Sequence, residues 1–109
     1  MKKSSLVFVV LLILCNFAYA ASFPTKNISF RNSPMGGTHF IGEVTNDSGH
    51  NYEMATFKLS IYSESGALLE VLDVVVPSFN KGQTKSFNAD SLEPIEGIAK
   101  VKLQFETGI

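Results

Sequence analysis

The chain has no tryptophan, two histidines and a single cysteine in its 109 residues, and no run of like charge. Each shortage narrows the chemistry. Cys15 stands in the apolar stretch near the N-terminus, so if that stretch is removed no thiol is left. Disulfides, thiolate catalysis and cysteine-held metals are then excluded. Nine basic residues against ten acidic ones, clustered nowhere, leave nothing to neutralise a phosphate backbone, and no nucleic-acid partner is expected. The same even spread gives no reason to expect a membrane-surface patch. Helical patterning is missing after residue 21, as are internal repeats, low-complexity tracts and linkers.

What is present begins with a leader. MKKSSLVFVVLLILCNFAYA combines Lys2 and Lys3, an apolar run from Leu6 to Cys15, and small residues at Ala18 and Ala20. That order marks residues 1–20 as a secretory signal peptide, cleaved after Ala20. A membrane span takes about 20 apolar residues, more than this run has. Leu14 is too bulky, before Cys15, for a lipoprotein signal. The expected product is secreted or periplasmic and bacterial, with no membrane span in the mature chain. Residues 21–109 form a single domain of 89 residues, whose formal charge falls from −1 to −3 once the two lysines leave. Such a length buries somewhat more than about 60% of its unfolded surface, enough for one core without staples.

Short alternating runs bounded by turn residues recur along the mature chain, which is the mark of an all-β sandwich or barrel. KNISFRNS puts Ile28 and Phe30 on one face; THFIGEVTN puts Phe40, Gly42 and Val44 together, with the SPMGG turn between them. FKLSIYSESG alternates cleanly: Ala55, Phe57, Leu59 and Ile61 inward, Thr56, Lys58, Ser60 and Tyr62 outward, then a hairpin turn at Gly66. ALLEVLDVVV is strand-forming but out of phase, which points to a bulge or to a strand covered on both faces. Pro77 is expected to end that run. After the turn NKGQ comes TKSFNAD, carrying Phe87, and IAKVKLQFE turns Val101, Leu103 and Phe105 inward, with lysines that suit an edge. The fold class expected is an immunoglobulin-like antiparallel β-sandwich of six to seven strands, with Gly42 leaving room for a ring from the facing sheet.

With those residues laid out, the chain resembles the FxLYD family, small extracytoplasmic domains related to immunoglobulin-like and fibronectin-like sandwiches. GEVTN supplies Gly42, Val44 and Asn46 of a G-x-V-x-N pattern. LSIYS carries the name-giving motif, with Leu59 and Ile61 for its phenylalanine and leucine, Tyr62 retained and Ser63 for its aspartate. Gly66, Gly82 and Phe87 match the glycines and phenylalanine that follow. The likeness runs from about Thr38 to Phe105 and implies a binding or structural module, with no catalytic residues and no cofactor.

Few side chains suggest chemistry. His50, Asp47 and Ser48 crowd one turn, whereas a catalytic triad must converge on a pocket beside an oxyanion hole. Met35 with His39 and His50 with Met54 pair a thioether with an imidazole at a spacing of four, a ligand set suited to copper if the two pairs meet across strands. Asn27-Ile-Ser29 and Asn46-Asp-Ser48 match a glycosylation sequon but gain no role in a bacterial envelope. Glu43, Glu53, Glu93 and Glu96 are scattered on outward or loop positions. The expectation is a non-enzymatic module for a protein or polysaccharide of the cell envelope, with a periplasmic copper-binding protein as the alternative. Tyr62, turned outward, is the candidate contact; its bland reading is cover for the sheet rim.

Overall fold

In a computed structural model, residues 22–34 and 36–109 are described, and they form six strands without a helix. These are β1 (Thr25–Asn32), β2 (Thr38–Thr45), β3 (Tyr52–Ser63), β4 (Leu68–Phe79), β5 (Thr84–Asp90) and β6 (Ile98–Gly108). All pairings are antiparallel. One sheet has the order β1-β2-β5, the other β4-β3-β6. The expected all-β sandwich is borne out, at the lower end of the strand count. Residues 1–21, with the expected leader and Cys15, lie outside the described residues, as does Met35; no helix among the described residues is long and apolar enough to cross a membrane.

The strands exist because one residue in two can be buried between the sheets. Phe40, Val44, Phe87 and Ala89 of the first sheet meet Ala55, Phe57, Leu59, Ile61, Val74, Val76 and Phe79 of the second in a single cluster. β3 is central to its sheet and its four predicted inward residues are all fully buried. Phe23, just before β1, closes one end of the sandwich. Its ring stacks on Phe105 at 4.6 Å between centroids and meets Phe57 edge-on at 5.3 Å, geometries that add to plain area burial. Backbone bonds lace this segment down: the Thr45 N–H donates to the Pro24 carbonyl and the Asp47 N–H to that of Ser22.

Several expectations need correction. Gly42 does make room for a ring, but the ring is that of Phe87, directly opposite on β5 of the same sheet; a Cβ there would lie 2.7 Å from Phe87 Cζ and 2.8 Å from Ile28 Cγ1. Phe30 and Phe105 take the inward phase yet stay 46% and 37% exposed, since β1 and β6 are outer strands with cover on one side only. Phe30 rests its ring on Phe40, 5.7 Å away. Pro77 does not end β4, which continues to Phe79; as an outer strand β4 can spare one donor. β4 does carry a bulge, since Ile61 pairs Glu70 while Tyr62 pairs Leu68, leaving Leu69 unmatched; Val71 and Val75, opposite Ser60 and Thr56, are out of phase because they lie on the outer face. β1 has a second bulge, with Asn27 at φ 56° and two residues opposite Gly42.

Candidate functional site

Two polar knots hold the ends of the sandwich. At one end the Asn46 side chain is fully buried, and its amide donates to the carbonyls of His50 (2.8 Å) and Phe79 (3.0 Å) while its oxygen accepts from the Ser48 N–H and hydroxyl. One side chain thereby ties the β2–β3 turn to the end of β4. Its backbone adds two more links, to Gly82 and Gln83 of the β4–β5 turn. At the other end Ser91 and Thr38 are buried and bonded to each other, and Gly37 is forced by closeness, since a Cβ there would lie 2.0 Å from the Ser91 carbonyl oxygen. Sequence reasoning flagged Asn46 through the family pattern and a glycosylation sequon, not as a structural tie; an Asx residue closing a strand before D-S-G was the signal for its local turn.

These knots absorb much of the candidate chemistry. Ser48 gives its hydroxyl to Asn46 and takes the His50 backbone N–H, so in the suspected triad loop its polar bonds are structural. The Asn46 amide, wholly spent inside the fold, has no free group to carry a glycan. His39 is the second residue of β2 and bonds Asp90 across the sheet, Nδ1 to Oδ1 at 2.6 Å, whereas His50 lies five residues beyond the strand's far end. Six residues of β2, Phe40 to Thr45, therefore lie between them, roughly 20 Å of extended chain. Met54 is the third residue of β3 and is 44% exposed on its outer face. Histidine, aspartate and glutamate form no group of three able to hold a metal among the described residues. His39 and His50 thus stand at opposite ends of β2, and Met35 lies outside the described residues.

The family-motif positions sort the same way. Val44, Leu59 and Ile61 are core; Gly42 admits Phe87; Gly82 bonds the Asn46 carbonyl at a φ of 82°. Ser63 builds the hairpin turn: its N–H donates to the Ala67 carbonyl, its own carbonyl accepts from Gly66, and its hydroxyl accepts from the Ala67 N–H. Ser63 thus closes its own turn, and Gly66 supplies the positive φ of 92°.

Tyr62 remains. It lies half-buried on the outer face of the second sheet, with Lys100 of β6 and Leu68 of β4 as its cross-strand partners. Along that face Met54, Val75, Val71 and Leu68 follow one another on β3 and β4, the last three 52%, 44% and 55% exposed. Only the ion pair of Lys58 with Asp73 interrupts the row. Val75 and Val71 are the residues that fell out of phase in the sequence, and that slip was the signal for an apolar outer surface. Beside Tyr62 a shallow cavity of about 340 Å3 is lined by Tyr62, Ser63, Glu64, Ala99, Lys100 and Lys102.

No family model, curated protein or solved structure matches the chain. The resemblance to FxLYD domains therefore stands on the residues quoted for it.

Proposed function

We propose that this protein is a non-enzymatic binding or structural module, secreted or periplasmic, which engages a protein or polysaccharide of the bacterial envelope through the outer face of the β4-β3-β6 sheet. We read its sandwich as immunoglobulin-like and the chain as a divergent relative of the FxLYD domains. One observation carries the reading. A solvent-facing sheet surface ordinarily alternates polar residues outward, yet here Met54, Val75, Val71, Leu68 and Tyr62 share the outward side of two adjacent strands. Two outward apolar groups, Met54 with Val75 and Val71 with Leu68 and Tyr62, flank the Lys58–Asp73 ion pair, and exposed apolar patches bordered by charge are how interaction sites are recognised. Water pays a cost to cover them, and a partner would remove that cost.

Capture by cross-linking in a native envelope fraction tests this. The wild-type chain is expected to retain a specific protein or glycan that the Val71→Glu and Tyr62→Ala variants lose while keeping the same thermal midpoint. Recovery of nothing specific, or identical recovery by the variants, refutes the assignment to this face.

A further inference from the structure

The lysines of the strands are not equally occupied. Lys58 is held by Asp73 and Glu106, Lys26 faces Glu43 on the other sheet, and Lys85 donates to the Pro77 and Ser78 carbonyls. Lys100 and Lys102 have no ion pair or side-chain hydrogen bond among the described residues. They sit opposite Tyr62 and Ser60, on the same face of β6 and two residues apart, so their Cα atoms are roughly 7 Å from each other. Two neighbouring ammonium groups without a counter-ion, set against a tyrosine ring, form a small field of positive potential beside an apolar platform.

We infer that Tyr62, Lys100 and Lys102 form a binding site for an anionic polysaccharide. This rests on the binding-module reading above and names its ligand. A sugar ring presents a C–H face that packs on an aromatic ring, and its acidic substituents would meet the two lysines, which act as point charges and need no fixed planar geometry. The cavity is open and shallow, which suits a chain passing across it better than a small molecule enclosed by it. Glu64, at the turn end of the cavity, accepts hydroxyl hydrogen bonds there and sets the limit of the anionic contacts.

Titrations with hexagalacturonate, the neutral hexasaccharide maltohexaose and hexaglutamate, followed by amide chemical shifts, test the site. Hexagalacturonate is expected to bind at the Tyr62 end of β3 and β6, and the other two not. Lys100→Gln and Lys102→Gln should each weaken it roughly two- to fivefold. Tyr62→Ala should weaken it several-fold and Tyr62→Phe much less. Unchanged thermal midpoints exclude misfolding as the cause. The inference is overturned if hexagalacturonate fails to bind at millimolar concentration, if the lysine variants bind it unchanged, or if hexaglutamate binds as well. The last result would mean that charge alone is recognised. If the envelope capture retains a protein while hexagalacturonate does not bind, the ligand class is wrong and the binding face survives; if both fail, both readings fall.

Discussion

Asn46→Ala is the sharpest test of how the sandwich is held together. The mutation deletes four side-chain hydrogen bonds at once. The Phe79 carbonyl loses a partner in a buried setting, and a stranded buried acceptor costs about 1–3 kcal/mol. The bonds to His50 and Ser48 are only part-buried, so water can replace them, at roughly 0.5–1 kcal/mol each. The sum is about 2.5–6 kcal/mol, against a total stability of about 4–13 kcal/mol for a domain of this size. Each kcal/mol shifts the thermal midpoint of such a domain by roughly 4–8 °C, so a fall of about 10 °C or more is expected. Urea denaturation followed by circular dichroism should show a lowered midpoint with an unchanged slope, since the exposed surface of unfolding is the same. Asn46→Asp separates bonding from packing. It keeps the volume and one acceptor oxygen but turns the other oxygen toward two carbonyls, and should be at least as harmful. A loss below about 1 kcal/mol in the alanine variant, or an aspartate variant as stable as wild type, would refute the hydrogen-bond account.

Three further outcomes follow from the packing and charges. Gly42→Ala should cost about 1–3 kcal/mol by overpacking against Phe87 and Ile28. Phe87→Leu in the same chain should recover part of that loss, and strict additivity in a double-mutant cycle would show that the two do not touch. Phe23→Ala should cost about 2–3 kcal/mol, below the usual range for a fully buried phenylalanine because Phe23 is only half-buried, and should weaken the near-ultraviolet dichroism of the aromatic cluster. Lys58 has its pKa raised above the ordinary 10.5, chiefly by its hydrogen bond to Asp73 and further by the charges of Asp73 and Glu106. The folded state therefore holds this proton more tightly than the unfolded one. The ion pair's contribution is fully present below pH 10.5 and is lost as pH rises through the raised value. Urea midpoints of wild type and Lys58→Met should thus differ at neutral pH and converge in strong alkali.

What could be read from the sequence was what depends on neighbours along the chain. The alternation from Ala55 to Tyr62 assigned each residue to its side of β3 because the two-residue period is a local property of an extended backbone. Ser63 and Gly66 likewise carried their turn within five residues. Burial depends on what lies across the core, which pattern alone does not contain. Phe30 and Phe105 have the same alternation as Phe57, and they stay partly exposed only because the strands that carry them are outermost. The partner of Gly42 was placed in the wrong sheet for the same reason: the pattern says that space is needed, and the register of β2 against β5 says who fills it.

Strand β4 shows why the candidate site was the least legible part. A run with apolar residues in both phases fits two structures, one covered on both faces and one that slips by a bulge, and the residues are the same in each. The bulge at Leu69 changes the phase near the hairpin. It does not remove Val71 and Val75 from the outer face, where no described element covers them. Their outward position costs stability in the isolated chain, because apolar area left in water forfeits about 25 cal/mol per Å2 relative to burial. Threonine at Val71 and Val75 would serve the same strand with less apolar exposure. Packing inside the sandwich therefore does not account for the valines, whereas a partner lying on the row beside Tyr62 would.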